Sequence, residues 1–473
     1  MAAKPLPPIA EFPNREQAYT FKNGFPTPET LQRSYDEADL NRAIEAYRFF
    51  YPTVSGAAIF KGNAKIGIVP NKVFGTLDGK PMHVGFTYNS DTPYAPLIMD
   101  LSEGPMVVEL PAGPLICIAM DVNQLWVADL GLPGPAAGKG DKVVFLPPGY
   151  EESPPAGYRV ANSPSRKMLV GIRSLPVNGD VPGAIARIKT VKVYPLKPDP
   201  HWPETKWLDL TPLPEDTTPL VYENSIEFWR ELHEAIDAEP PNPRFHNMYG
   251  ELAALGIERG QPFKPDARMS SILEKAAQTG NAQMRVESFG DRRPDRIVWP
   301  DRKWEWAALR FEDGDFNTEN YADLYARDKW FYQAIGASPA MFKRDTSAGS
   351  LYWLGLRDTT GANLDGGNTY KLSVPQPVPG KLFWSVTVYD TETRSQVLTD
   401  QGKAALRSLF ELKDVSTKEP TDLYFGPNAP KGKEDLWIKT IPGKGWFVYF
   451  RVYGPEKAAF DGSWKPGDFE LAK

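Results

Sequence analysis

The chain has almost no cysteine, little histidine, no surplus of positive charge and no long apolar run, and each shortage removes a class of function. One cysteine, Cys117, in 473 residues excludes an intramolecular disulfide framework and any cysteine-rich zinc site. It sits in the apolar run Leu115-Ile-Cys-Ile-Ala-Met120, which marks a buried structural thiol rather than a nucleophile. Four histidines, His83, His201, His233 and His246, are too few for a histidine-rich metal centre, and neither a metal site nor an organic cofactor is expected. His233-Glu234 is followed by Asp237 rather than by the second histidine of a zinc-binding helix. There is no Gly-x-Ser-x-Gly elbow, and Gly134-Pro-Ala-Ala-Gly138-Lys139 is too short for a phosphate loop and lacks the following Ser or Thr. A formal net charge of −6 leaves no basic surplus for nucleic acid. No apolar stretch approaches the ~18 residues of a membrane span. The first residues lack the apolar core of a secretory signal, so a periplasmic or secreted location is expected if a signal was trimmed and a cytoplasmic one otherwise.

What is present is a long chain rich in proline (47) and tryptophan (13), which points to several domains with many turns and sheet rims. After a Pro-rich arm, Thr27-Pro28-Glu29 has the form of a helix start, and Leu40, Ile44, Tyr47 and Tyr51 recur on one face until Pro52, the expected stop. From about Ile66 the pattern becomes short apolar runs, among them Met82–Tyr88, Met106–Leu110, Leu115–Asp121, Gln124–Leu130, Lys142–Leu146 and Lys167–Arg173. Helical spacing returns at Asn224–Ala238, Arg244–Glu258, Asp266–Gln283 and Thr318–Ile335, and strands resume from Ser350. The expected division is an N-terminal arm with helices (1–65), a first β-module (66–202), a helical insert (203–345) and a second β-module (346–473). The expected fold class is α+β, mainly β, with two sandwiches joined by helices.

The two β-modules echo each other. Leu115–Asp121, Val143–Pro147 and Met168–Arg173 are answered by Leu382–Asp390, Leu423–Pro427 and Phe447–Val452: an apolar run closed by Asp, a Phe-x-Pro loop, and an apolar run carrying an Arg. The Phe-to-Arg separations are 173 − 145 = 28 and 451 − 425 = 26, as in a duplication.

The motifs Asn89-Ser-Asp91-Thr-Pro-Tyr94, Ile98–Pro105, Val107–Pro111, Leu364–Tyr370, Phe383–Asp390, Arg451–Pro455 and Asp461–Pro466 occur in that order. On these motifs the chain resembles the tandem bacterial family in which a DUF1254 domain precedes a DUF1214 domain. The resemblance implies β-sandwich or jelly-roll-like domains, frequent export, homo-oligomers and no established reaction. An analogy of fold to carbohydrate processing comes with it.

The Asn89–Tyr94 loop is the leading site candidate, dense in hydrogen-bonding groups. Asp91 is the expected acid/base, provided that burial raises its pKa, with Asn89, Thr92 and Tyr94 expected to orient a substrate; the alternative is an Asx-turn that merely orders the loop. Asp121 and Asp390 close equivalent runs and serve either a ligand or a turn. Arg173 and Arg451 hold an anionic group or tie a loop. Trp126 offers a stacking face for a sugar, whereas Trp384 is core. The interleaved cations and aromatics from Arg292 to Arg310 are matched by Asp and Glu and read as a solvated, self-paired face. The expected function is an enzyme acting on carbohydrate or a similar polar, extended substrate. The alternatives are a non-catalytic ligand-binding or oligomeric assembly protein and, third, a hydrolase of a small ester or aromatic compound. The expected partner is a small molecule or glycan.

Overall fold

The structure, a computed structural model, describes residues 19–310 and 314–472. The Pro-rich arm at 1–18 and the acids Glu312 and Asp313 lie outside the described residues. Two compact units form. The first takes the chain up to Val54 with Pro219–Pro294, and the second takes Ser55–Thr218 with the chain from Asp295 onward. The segment 203–345 therefore contributes to both.

In the first unit a short hairpin, β1 (Phe21–Lys22) and β2 (Phe25–Pro26), precedes the long helix α1 (Pro28–Lys65), whose residues beyond Val54 count with the second unit. The Thr27 hydroxyl accepts from the Thr30 amide at 3.3 Å, the N-cap that the Thr-Pro-Glu start predicts. The expected stop at Pro52 does not occur. Tyr51 and Val54 on either side of it are fully buried, and their packing outweighs the roughly 3 kcal/mol that an interior proline costs a helix. Tyr47 lies 4.1 Å from the Phe228 ring of α3 (Ile226–Ala238), and the Tyr47 and Tyr51 hydroxyls donate to the Glu223 carbonyl and carboxylate at 2.7 and 2.6 Å. The helices α4 (His246–Ala254) and α5 (Ala267–Phe289) complete the unit. Gly280 of α5 makes room for Tyr47, because a Cβ there would stand 2.5 Å from its ring.

The second unit contains both β-modules. The first has β3 (Val73–Thr76), β4 (Tyr94–Asp100), β5 (Met106–Leu110), β6 (Leu115–Asp121), β7 (Trp126–Gly131), β8 (Asp141–Leu146), β9 (Arg159–Asn162), β10 (Lys167–Ser174), α2 (Val181–Ile188), β11 (Lys192–Pro195) and β12 (Lys206–Asp209). The second has β13 (Glu305–Trp306), α6 (Leu324–Gln333), α7 (Pro339–Phe342), β14 (Ser350–Gly355), β15 (Tyr370–Val374), β16 (Gly380–Asp390), β17 (Ala405–Arg407), β18 (Thr421–Gly426), β19 (Trp437–Lys439), β20 (Trp446–Pro455) and β21 (Glu470–Leu471).

Each module is a sandwich, and their topologies coincide. The first stacks the sheet β4-β10-β6-β7 on β11-β5-β8-β9; the second stacks β14-β20-β16-β17, with β13 at its edge, on β21-β15-β18-β19. Adding ten to each label turns one module into the other, down to the one parallel pair of each sandwich, β8-β9 and β18-β19. The register agrees as well. Arg173 lies opposite Tyr94 and Ile116, and Arg451 lies opposite Tyr352 and Ser385. Asp121 and Asp390 then fall at matching places, 121 − 116 = 5 and 390 − 385 = 5 residues on. The duplication read from the sequence is thus a duplication of fold.

Period-two alternation builds both cores. Met168, Val170 and Ile172 of β10 face Val108, Val143 and Phe145 of the partner sheet, which leaves Leu169, Gly171 and Arg173 on the opposite face. In the second module Phe450 stands among Trp304, Trp353, Trp384 and Trp464, with ring centroids 5.4–6.0 Å away. Trp384 is core, as expected. So are Trp299 and Trp304, which corrects the reading of Arg292–Arg310 as a solvated face. The charges of that run do pair, Arg302 with Asp301 and Arg296 with Glu305.

Two further expectations fail for local reasons. Met82–Tyr88 is a series of turns with one bridge, Val84 to Asp216, and not a strand, so His83 sits in a turn. Thr87 adopts φ +46°, and Gly85 accommodates the Tyr88 ring, whose atoms would lie 2.4 Å from a Cβ. The helix expected from Thr318 begins only at Leu324. The Thr318 hydroxyl holds the Tyr321 amide in a turn, and Asp323 caps α6 through the Ala326 amide.

Because Phe450 contacts four indoles, Phe450→Ala is expected to cost about 3–5 kcal/mol. A urea titration followed by tryptophan fluorescence should show the midpoint fall; an unchanged midpoint would mean that the second core does not depend on this ring.

Candidate functional site

The outward faces of the two long sheets look into one cavity of about 470 Å³. Ile116, Ile118, Leu169 and Arg173 line it from the first module, and Tyr352, Tyr449, Arg451 and Tyr453 from the second. Trp330 of α6 and Met341 of α7 contribute more apolar wall. The size falls in the usual range for small-molecule sites.

The Asn89–Tyr94 loop lies against this cavity and is bonded to the second module. The Asn89 side-chain oxygen accepts from the Asp91 amide at 3.0 Å, the Asx-turn considered above, and from Arg173 Nη2 at 3.3 Å. Arg173 Nε donates to the Thr92 hydroxyl at 2.9 Å, and its Nη2 donates to the Tyr453 hydroxyl at 2.8 Å. Tyr453 in turn donates to Asp91 Oδ2 at 3.2 Å and accepts from Asn89 Nδ2 at 3.3 Å. That uses all the bonding capacity of the phenol. Ser385 of β16 also donates to Asp91 Oδ2, at 2.9 Å. Asp91 is 1% exposed, and its Oδ1 has no hydrogen-bond partner among the described residues.

Arg451, 2% exposed, is the least satisfied group in the cavity wall. Its Nη2 donates to the Thr87 carbonyl at 3.0 Å, while its Nε and Nη1 have no hydrogen-bond partner among the described residues. The rings of Tyr449, Tyr352 and Tyr389 lie 5.0, 5.4 and 5.5 Å from the guanidinium carbon. Such contacts attract the charge but do not replace acceptors for in-plane N–H groups. Burial pushes the phenols of Tyr94, Tyr389, Tyr449 and Tyr453 up, so they remain neutral donors. With Asp91 against Arg173 and Arg451, the cluster carries a formal +2 − 1 = +1.

The loop's base rests on a second buried pair. His83 Nδ1 and Glu215 Oε2 are 3.9 Å apart, and neither side chain has a hydrogen-bond partner among the described residues. Val84 donates to the Glu215 carbonyl at 2.8 Å, and Thr217 donates to the Val84 carbonyl at 3.0 Å. Burial, aided by Asp216, pushes Glu215 up to about 7, and burial pushes His83 down, so the fold favours both in their neutral forms.

The remaining sequence candidates stand elsewhere. Asp121 accepts from the Leu125 amide at 2.8 Å and from Asn123 Nδ2 at 3.0 Å; Asp390 accepts from the Glu392 and Thr393 amides at 2.7 and 3.0 Å. Both hold turns at equivalent strand ends, and neither lines the cavity. Trp126, 37% exposed, is also outside the cavity wall. Asn89, Tyr94, Arg173 and Arg451 do line it, while Thr92 and Asp91 stand behind them.

Sequence reasoning missed Tyr352, Tyr449, Tyr453 and Ser385, and also Asp129 of β7. A signal did exist for part of this set: Tyr449, Arg451 and Tyr453 alternate along β20, a polar face inside an apolar run. Asp129, 8% exposed, lines the cavity, and burial pushes its carboxyl up to about 6 against the opposing Ser338 hydroxyl, Ala340 amide and Trp126 indole.

Residues 76–195 match a family model described as a protein of unknown function, DUF1254, and residues 349–457 match one described as a protein of unknown function, DUF1214. No curated protein matches the chain. The crystal structure of a Vibrio parahaemolyticus protein is similar over 92% of this chain and 100% of its own, at 17% identity and a TM-score of 0.58, which shows a shared fold. An uncharacterized Burkholderia cenocepacia protein aligns over 94% of this chain and 97% of its own, at 12% identity and a TM-score of 0.40.

The Glu215 shift has a definite pH signature. In the folded protein the group keeps its proton up to about 7, whereas an unfolded glutamate releases it near 4.5. Its contribution is therefore fully present below about 4.5 and lost as pH rises to about 7. Glu215→Gln should remove this loss and gain on the order of 3 kcal/mol relative to wild type between pH 4 and pH 8. Urea midpoints of both proteins at the two pH values measure this; a pH-independent difference would show that Glu215 titrates normally.

Proposed function

The protein carries a DUF1254 domain followed by a DUF1214 domain, and we propose that it binds a small organic anion with an apolar body in the cavity between them. The observation that carries this reading is Arg451, a buried permanent cation with two N–H groups lacking acceptors at the wall of an apolar chamber. Buried N–H groups of a guanidinium without acceptors are costly, and a carboxylate or phosphate oxygen would complete their hydrogen bonds. Arg173 adds a second cation to the same wall, and the neutral tyrosines add donors but no competing charge. Asp91 lies behind the two arginines, where it limits their mutual repulsion and ties Tyr453 to Ser385.

This reading favours ligand binding over the turnover of an extended carbohydrate. A sugar chain calls for an open groove lined with hydroxyl partners and stacking faces, whereas much of this wall is aliphatic and Trp126 stands outside it. Asp91 Oδ2 is already engaged by two hydroxyls, which suits a positioning role better than proton transfer.

Thermal-shift and calorimetric titrations with benzoate, octanoate and octyl phosphate, set against benzamide, octanol and oligosaccharides, test the proposal. The anions should raise the midpoint while their neutral counterparts should not. Arg451→Gln should weaken anion binding about 10- to 100-fold, as expected for loss of a charged hydrogen-bond donor. Leu169→Trp, which adds bulk to the cavity wall, should also weaken binding. A shift from oligosaccharides alone would overturn the reading.

A further inference from the structure

The cavity has a second polar end that the arginine cluster does not use. In β6, Ile118 lies opposite Gly171 of β10 on one side and Asp129 of β7 on the other, while Ile116 lies opposite Arg173. Alternation therefore places Asp129 and Arg173 on the same cavity-facing surface. They are two strand spacings apart across the sheet and two residues apart along it, roughly 12 Å between Cα atoms. Between them the floor is Ile116 and Ile118, with no polar side chain.

Beside Asp129 stands Ser338, at the start of α7. It is 1% exposed and lines the cavity, and its Oγ has no hydrogen-bond partner among the described residues. Ser338 is nevertheless close enough to Asp129 to oppose the upward shift of its carboxyl. The Ala340 amide and the Trp126 indole also face the Asp129 carboxyl, which still lines the chamber. A cavity-lining carboxyl and a buried hydroxyl at one end of an apolar chamber, with cations at the other, match a ligand that is polar at both ends.

We infer that Asp129 and Ser338 form a second subsite that selects ligands carrying a hydroxyl or amine at the end opposite their acid group. The carboxyl of Asp129 accepts from that hydroxyl or amine, and the Ser338 hydroxyl completes the site by donating to, or accepting from, the same group. The aliphatic floor between the two poles packs against the ligand's middle. This inference rests on the anion-binding reading and extends it, with Asp129 and Ser338 as specificity-determining residues.

Calorimetric titration of the full-length protein with hexanoate, octanoate and decanoate, and with their ω-hydroxy and ω-amino counterparts, tests it. At the chain length that spans the chamber, the ω-substituted acid should bind about tenfold or more tightly than the plain acid. Asp129→Leu should erase that advantage while leaving plain-acid affinity equal or higher, and Ser338→Ala should reduce it. Equal affinity for plain and ω-substituted acids in the wild type, or an advantage that survives in Asp129→Leu, would overturn the subsite. Plain acids that bind through Arg451 with no ω-preference would sink this inference alone. Failure of every acid to bind would sink the anion-binding reading with it.

Discussion

The second unit is organised by two arginines at one cavity wall, Arg451 buried and Arg173 half-buried. Arg173 and Arg451 sit at matching registers of matching strands, each on the face of its sheet turned away from its own core. A guanidinium cannot shed its charge, so each module must surround its arginine with oxygens, aromatic faces and a counter-charge. The chain does this by lending groups between modules. Tyr453 of the second module bonds Arg173 of the first, Thr87 of the first bonds Arg451 of the second, and Asp91 reaches Ser385. The contact between sandwiches therefore combines an apolar patch, where Leu175 and Ile116 meet Phe383, with a polar network whose directional requirements specify one arrangement more sharply than the apolar patch alone could.

The duplication explains why the cavity lies where it does. Two copies of one sandwich present the same outward sheet, and two outward sheets facing each other enclose a chamber. The copies have diverged in their contents. The first contributes Ile116 where the second has Ser385, so Asp91 meets a hydroxyl on one side only. The first core is filled by Val, Leu, Met and Phe, whereas the second is built around Phe450 and its tryptophans. Equivalent Asp121 and Asp390 kept the turn-capping role in both, the second of the two roles that the sequence left open for them.

The Asn89–Tyr94 loop is both a local turn and a piece of the cavity wall. It contains an Asx-turn, and it brings Asn89 and Tyr94 to the cavity wall. Its position depends on contacts distant in sequence: Arg407 donates to the Ser90 carbonyl at 2.5 Å, Ser90 bonds Gln396, and Tyr389 donates to the Tyr88 carbonyl at 2.8 Å. A loop with so many long-range partners is a fixed part of the wall, a property that its polar composition alone could not reveal.

The sequence by itself determined the sandwiches, their duplication and the capped start of α1, because alternation, turn residues and N-caps act over a few residues and leave a periodic trace. It also made Arg173 and Arg451 visible as a matched pair. It misread Pro52, Met82–Tyr88 and the tryptophans after Arg292, where burial or distant hydrogen bonds override local preference. Only the tertiary structure decided which face of each strand looks into the cavity, which donors remained unpaired there, and that Asp129 shares a surface with Arg173. Those properties arise when strands far apart in the chain meet in register, and no local pattern encodes that meeting.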